Sequence, residues 1–376
     1  MKQNIPIKEI AKLFLKLGFI GFGGPAAHIA MMQQEVVVKR KWMSDQHFLD
    51  LLGATNLIPG PNSTEMAIHI GYDKGGWKGL IVAGLCFILP AVFITGFFAW
   101  LYQKYGHLPQ LQSFIYGIKP AIIAIIIGAI LPLAKKSIKS IKLAFMGIAV
   151  LVLSLFGFSE IYLMFGSGLL IMSIYYIQNN KSKSINSFFL FPISYTIQFS
   201  LLSETNTRLF WIFLKIGSIL YGSGYVLFAF LDTELVTTGL LTRQQLMDAI
   251  AVGQFTPGPV FTSVTFIGYQ INGIGGALVS TIAIFLPSFI LVGLLNPLMK
   301  KMRQSKGLSV FLDAVNVASV ALIISVCLTM GMETATDWRA LLIALISIAL
   351  VLKFKKINSA FIVLGGAILG YLLYLI

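Results

Sequence analysis

Charge is what this chain has least of. Only 11% of its 376 residues are Asp, Glu, Lys or Arg, against 57% hydrophobic, and the mean hydropathy is +0.86. A water-soluble fold of this size cannot hide so much apolar surface in a core, so the solvent must be lipid. Acids are scarcer than bases, 14 against 28, for a net charge of +14. In a soluble protein that excess would suggest nucleic acid. Here most bases fall in short breaks between apolar runs, as in cytoplasmic loops under the positive-inside rule, and no aromatic-basic groove for bases is visible. Cysteine is nearly absent. Cys86 and Cys327 lie far apart inside apolar runs, which suits packing better than a disulfide or a metal site. Four histidines in no tight spacing give no zinc or haem motif. No nucleophile elbow or Ser-x-x-Lys set appears either, so neither a cofactor nor enzymatic chemistry is expected. No small-residue cleavage site follows the basic start, Met1 to Lys16, and no signal peptide is expected.

What the chain does have is a series of apolar runs. A bilayer core about 30 Å thick needs about 20 apolar residues per spanning helix. Runs of that order occur near 9–33, 46–70, 77–102, 111–134, 141–157 and 161–178, then near 207–231, 245–270, 274–299, 308–331, 340–352 and 357–376. The second set repeats the first. Phe14-Leu15-Lys16-Leu17-Gly18 recurs as Phe213-Leu214-Lys215-Ile216-Gly217 at an offset of 199, and Gly21 to Pro25 (GFGGP) aligns with Leu220 to Gly224 (LYGSG). Asp50 meets Asp248, and Pro59-Gly60-Pro61 meets Pro257-Gly258-Pro259, at 198. Gly71-Tyr72 pairs with Gly268-Tyr269, and Pro90 with Pro287, at 197. Two one-residue slips across so long a match argue for duplication rather than chance. The expected fold is therefore an all-α integral membrane protein of about 10–13 membrane segments. It comprises a first half (1–180), a linker (181–204) whose apolar part, 185–202, has the length of one more spanning helix, and a second half (205–376).

Loop charges indicate how the halves sit. The densest basic break of the first half follows its fourth segment (Lys135, Lys136, Lys139, Lys142). That of the second follows its third (Lys300, Lys301, Arg303, Lys306), and Lys353, Lys355 and Lys356 follow its fifth. The difference in parity turns one half upside down relative to the other, an architecture common among transporters. Lys39-Arg40-Lys41 then falls on the wrong side if every segment spans. The conflict disappears if the first two segments of each half are re-entrant hairpins, bent at GFGGP and at Pro-Gly-Pro. Such non-helical backbone is tolerated at membrane depth only where it lines a cavity or is buried in protein.

Proline and glycine at the two triplets block helical continuation and permit a turn. Helix resumes at Asn62-Ser63-Thr64-Glu65 and at Val260-Phe261-Thr262-Ser263, so backbone N–H groups and the hydroxyls of Ser63, Thr64, Thr262 and Ser263 gather at two related places. A helix N-terminus is an anion site by geometry and dipole. A lone proline-glycine kink is as often mere packing. Two copies at matching positions favour a binding role. The glycine runs, with Gly23 and Gly24 in the first half and Gly222 and Gly224 in the second, are not phosphate loops. They read either as close helix packing or as unwound tips facing the same cavity. Lys16 and Lys215, at equivalent apolar places, are candidates to attract a dianion, with snorkelling to the interface as the plainer alternative. Lys119, with Asn316 opposite it in the repeat, is a weaker candidate. Asp50, Asp248, Glu65, His28 and His69 are the titratable groups available to couple proton movement, with helix capping or an interface role as the plainer alternative for each aspartate.

GFGGP near the start, LIPGPNSTEMAIHIGY, QFTPGPVFTSVTFIGYQINGIGGA and the Pro90/Pro287 pair resemble the chromate transporter family in its bidomain form, over nearly the whole chain. The resemblance implies a bacterial inner-membrane protein that carries chromate outward, with sulfate as a chemically similar competitor. Its motif positions here are Gly21, Gly23, Gly24, Pro25, Pro59, Gly60, Pro61, Pro257, Gly258 and Pro259; Gly224 stands where the first half has proline. Chromate is a tetrahedral dianion with four acceptor oxygens and no donors at neutral pH, so hydrogen-bond donors and positive potential suffice to hold it. An amino-acid exporter with a Pro-Gly-Pro-Asn turn is the nearest rival, but such proteins resemble a single shorter unit. An intramembrane lipid-pyrophosphate phosphatase would want a glutamate cluster and an arginine, and only Glu65 is near. Small residues facing lipid leave room for a homodimer.

Overall fold

The computed structural model describes residues 5–22, 24–106, 109–179, 203–221, 224–295, 305–334, 337–354 and 358–374. The linker expected as a spanning helix, and the loop bases Lys300, Lys301, Arg303, Lys355 and Lys356, lie outside them. Among the described residues all regular structure is helical, and five helices are long and apolar enough to cross a membrane.

Each half begins with two hairpins. In the first, α1 (Ile7–Ile20) stops at Gly21-Phe22, and α2 (Gly24–Gln33) runs back beside it, continued by a π-helical turn, Gln34–Lys39. The return is fixed by Lys16 Nζ on Glu35 Oε1 at 2.9 Å and by His28 Nε2 on the Gly21 carbonyl at 2.9 Å. Next α3 (Asp45–Thr55), capped by Ser44, runs in to Pro59-Gly60-Pro61, where α4 (Asn62–Tyr105) begins. A helix of 14 residues is only about 21 Å long, short of the bilayer core. Hence α1 and α3 can enter the membrane but not cross it.

Gly76, with φ +59°, breaks α4 into a short arm and a long one. The two arms fold back on each other, with Gly71 against Gly79 and Gly84 against Ile68. The short arm therefore returns to the face on which the hairpins open. Ile5 N–H donates to the Lys74 carbonyl at 3.0 Å there, and His47 Nε2 lies 3.2 Å from Asp73. Only the long arm traverses.

The second half repeats this pattern. Helices α8 (Glu204–Ile219), α9 (Val226–Leu231, extended by a π turn to Val236) and α10 (Arg243–Phe255) lead to Pro257-Gly258-Pro259, a 3-10 turn (Val260–Thr262) and α11 (Ser263–Leu295). Gly273, with φ +58°, breaks α11 as Gly76 breaks α4. The re-entrant reading of the sequence is the one the chain adopts. The long arms of α4 and α11 run antiparallel. Gly293 lies against Trp77, Gly84 against Phe289, and Gln270 Nε2 donates to the Ala99 carbonyl at 2.9 Å. Tyr102, at the far end of α4, donates to Asp248 at 2.6 Å beside the mouth of the second-half hairpins. One half's hairpins thus open on one face of the molecule and the other's on the opposite face. Lys39, Arg40, Lys41, Lys74, Lys78, Lys135, Lys136 and Lys139 gather on the first face; Asp232, Glu234, Glu333 and Asp337 lie on the other.

Among the described residues the remaining helices are α5 (Pro109–Ser137), α6 (Ile141–Leu155) and α7 (Glu160–Asn179) from the first half, and α12 (Lys306–Thr334), α13 (Trp338–Lys353) and α14 (Ser359–Tyr374) from the second. These six pack mainly on one another, α5 along α12, α13 and α14, and α12 along α6 and α7. The hairpins and long arms form a second unit through α1–α4, α8–α11 and α4–α11. The two units meet more lightly, α9 touching α12 and α10 touching α5 and α14. Large apolar side chains such as Phe93, Phe145, Ile274 and Phe361 stand exposed on the outside, as a lipid-facing surface requires.

Candidate functional site

The site is built where the helices are interrupted. Pro59, Gly60 and Pro61 are buried, as are Pro257, Gly258 and Pro259. Each triplet reaches across to the other half. Gly60 N–H donates to the Leu220 carbonyl at 2.8 Å, and Gly258 N–H donates to the Gly21 carbonyl at 2.7 Å. Leu220 is the repeat equivalent of Gly21, so the two bonds are one contact made twice about a pseudo-two-fold axis. The flanking contacts obey the same rule. A Cβ on Gly60 would lie 2.6 Å from Ser288 Oγ, and one on Gly258 would lie 2.7 Å from Ala91 Cβ, Ala91 being the repeat partner of Ser288. The bends therefore adjoin one another at the centre of the molecule and do not face lipid.

Beside this crossing is a cavity of about 490 Å³ between the two units. Gly24, Pro25, Gly60, Pro61, Asn62, Ser63, Gly224, Tyr225, Val260 and Phe261 line it from the hairpins. Pro132 and Lys136 of α5 and Ser359 of α14 line it from the six-helix unit. An adjoining cavity of about 300 Å³ shares Asn62 and Lys136 and extends past Lys139, Ser309 and Asn316 to the basic face. The lining thus includes the first residues of α2 and α4 and of the 3-10 turn that runs into α11. The first turn of a helix has amides without intrahelical acceptors, and its dipole adds positive potential. At the start of α4 the carbonyl of Pro61 takes the amides of Thr64 (2.8 Å) and Glu65 (3.1 Å). The amides of Asn62 and Ser63 precede that first bond and border the chamber. Such a place suits an anion bearing several acceptor oxygens.

Of the other residues singled out in the sequence, Thr64, Glu65, Thr262 and Ser263 are buried behind the turns rather than in the lining. Thr262 donates to the Pro259 carbonyl at 2.7 Å, and Glu65 accepts from Ser288 at 3.4 Å. Glu65 Oε2, both ring nitrogens of His69, Thr64 Oγ1 and Ser263 Oγ lack a partner among the described residues. Gly23 and Gly222 lie outside the described residues. Asp248 is held by Tyr102 and Gln244, while Asp50, half-buried, accepts from Gln46. Lys119 donates to Gln244.

Lys16 and Lys215 are not in the lining. Lys16 pairs with Glu35 at 2.9 Å and Lys215 with Glu234 at 2.5 Å, one ion pair repeated in each half. Each closes its own α1–α2 or α8–α9 hairpin, and each lysine's charge already has a counter-ion. The cation that reaches the cavity is Lys136, which has no ion-pair partner among the described residues. In the sequence it reads only as a loop charge.

Two antiparallel repeats whose interrupted helices meet beside a polar chamber, in a multi-pass apolar chain, define an inverted-repeat membrane transporter. The chain belongs to the chromate transporter family, whose profile matches it twice, over residues 8–172 and 207–371. It is 32% identical over 381 residues to a chromate transport protein of Cupriavidus metallidurans, covering 98% of this chain and 93% of the relative. A probable chromate transport protein of Synechococcus elongatus is also 32% identical, over 384 residues, with 98% and 96% covered. A chromate transport protein of Pseudomonas aeruginosa is 26% identical over 379 residues, with 96% and 91% covered. No solved structure matches the chain significantly.

Proposed function

We propose that the chain carries a tetrahedral oxyanion, chromate with sulfate as its chemical competitor, outward across the bacterial inner membrane as a secondary active transporter. The observation that carries this reading is the convergence of the starts of α2, α4 and the α11 turn on one chamber with Lys136 beside it. Asn62, Ser63 and the backbone at Gly24, Gly224 and Val260 would supply donors to the oxyanion, with Gly60 holding the turn in place through its bond to Leu220. Lys136 would attract it from the basic face, which the positive-inside rule assigns to the cytoplasm. The names of the relatives from Cupriavidus metallidurans and Pseudomonas aeruginosa support chromate as the cargo.

Glu65 and His69, buried one helical turn apart on α4 just behind the chamber, are the groups we assign to proton coupling. A charged carboxylate at Glu65 would have no counter-ion among the described residues within reach of a bond, an arrangement that is costly unless a proton arrives. Lys16 and Lys215 serve the hairpins instead. The halves, 1–180 and 205–376, are joined through 181–204, which must cross the membrane once if the second half is to open on the opposite face. Assembly as a homodimer is compatible with this arrangement.

Everted membrane vesicles test the proposal, since export appears there as uptake. Chromate should accumulate in vesicles containing the protein above the level in empty ones, and excess sulfate should suppress it. Vesicles that take up an amino acid and not chromate would overturn the assignment.

A further inference from the structure

The repeat relates not only the turns but also the rims of the interface between the two units, and there the two ends of the molecule differ. On the face away from the basic one, three polar contacts among the described residues join the hairpin unit to the six-helix unit. Arg243 of α10 bonds to Glu333 of α12, Lys119 of α5 bonds to Gln244 of α10, and Thr233 donates to Glu160 of α7 at 2.5 Å. Arg243 is steadied by two bonds of 2.9 Å to Asp232. What space remains there is a small cavity of about 170 Å³, lined by Tyr116, Lys119, Arg243, Gln244 and Glu333 among others.

The repeat offsets carry those residues to the basic face. Ser44 and Thr242 are equivalent helix caps, so Arg243 corresponds to Asp45 and Gln244 to Gln46. Helices α5 and α12 are each 29 residues long and start and end at an offset of 197, so Glu333 corresponds to Lys136 and Lys119 to Asn316. The signs of the ion pair are exchanged, yet the pair stays complementary: Arg243 with Glu333 on one face, Asp45 with Lys136 on the other. A complementary pair kept with reversed polarity is unexpected if the basic-face residues never meet. In this structure they are apart. Asp45 is exposed and among the described residues accepts from Gln33 of α2, Gln46 bonds to Asp50, and Lys136 and Asn316 line open cavity.

We infer that Asp45–Lys136, supported by Gln46–Asn316, is the latch that closes the basic face when the Arg243–Glu333 latch on the opposite face opens. The hairpin unit then rocks against the six-helix unit between two states related by the pseudo-two-fold axis, and the chamber beside Asn62 and Ser63 is exposed to each face in turn. Lys136 acts in both states. While the basic face is open it stands beside the chamber as an unpaired cation, and on closure Asp45 neutralises it, which removes the attraction holding an anion at that end. This rests on the transport reading, but the latch can be detected without any cargo.

The test uses the full chain in proteoliposomes, with Cys86→Ser and Cys327→Ser as background. A short bifunctional thiol reagent is applied to two variants, Arg243→Cys with Glu333→Cys, and Asp45→Cys with Lys136→Cys. The first pair should be joined readily in the resting protein. The second should be joined slowly, and about fivefold or more faster once Glu333→Gln releases the opposite latch. Gln46→Cys with Asn316→Cys reads the same closure should the charged pair fail to fold. If neither basic-face pair is ever joined while anion flux persists, the latch is refuted. If the joining rate responds to Glu333→Gln but no oxyanion is carried, the latch stands and the transport reading fails.

Discussion

Gly60→Ala tests the crossing of the two halves. Gly60 sits at φ +136°, a conformation that side chains rarely adopt, and an added Cβ would meet the Glu65 carboxylate and lie 2.6 Å from Ser288 Oγ. Such backbone strain is worth about 1–3 kcal/mol. Relief by rotation would weaken the hydrogen bond from Gly60 to Leu220, worth about 1 kcal/mol. A loss of about 2–4 kcal/mol is therefore expected, together with displacement of the amides of Asn62 and Ser63 from the chamber. Gly96→Ala is the matched control, because Gly96 lies in helix with nothing within 4 Å of an added Cβ. That change should be neutral or stabilising by up to about 1 kcal/mol. The measurement is unfolding of the purified protein in detergent, with chromate uptake recorded on the same preparations. Gly60→Ala should unfold several degrees lower and lose most flux while Gly96→Ala retains both. If the two variants behave alike, the cross-half turn is not what organises the site.

Lys136→Ala should raise the half-saturating chromate concentration about tenfold or more, since at an effective dielectric of about 20 a nearby cation is worth several kcal/mol to a dianion before screening. The Lys16→Ala, Lys215→Ala double variant should leave that concentration nearly unchanged and lower thermal stability instead, because Glu35 and Glu234 each lose a partner; a large change in half-saturation there would return those lysines to the binding site. Glu65→Gln should leave downhill chromate exchange intact while abolishing the response of uptake to an imposed proton gradient. An unaltered gradient response would remove Glu65 from coupling.

The duplication was legible because glycine and proline resist drift where a turn must reverse the chain, so Pro59-Gly60-Pro61 and Pro257-Gly258-Pro259 stayed in register across 198 positions. The re-entrant hairpins were legible through a topological conflict, the misplaced Lys39-Arg40-Lys41. The structure places the lysines differently from the sequence reading, with Lys16 and Lys215 in ion pairs outside the lining and Lys136 beside it. Lys16 and Lys215 stood out as repeated cations in apolar surroundings, but Glu35 and Glu234 repeat at the same offset of 199. An antiparallel hairpin brings residues 19 apart together, so a repeated cation accompanied by a repeated acid at that spacing signals an ion pair. Lys136 carried no such signal, because its approach to Asn62 depends on α5 packing beside the hairpins, a tertiary contact that local pattern does not encode. Nor did the sequence separate Ser63, which faces the chamber, from Thr64, which is turned away from it; that distinction depends on the rotation of α4 about its axis.

Labelling of a cysteine placed at Ser63, in a background lacking Cys86 and Cys327, tests most directly whether an oxyanion rests among the broken helices. A small charged methanethiosulfonate should reach Ser63→Cys from the basic face, and millimolar chromate or sulfate should slow the reaction severalfold while chloride at equal ionic strength does not. A labelling rate indifferent to both oxyanions, in protein that still transports chromate, would place the substrate elsewhere and contradict the account.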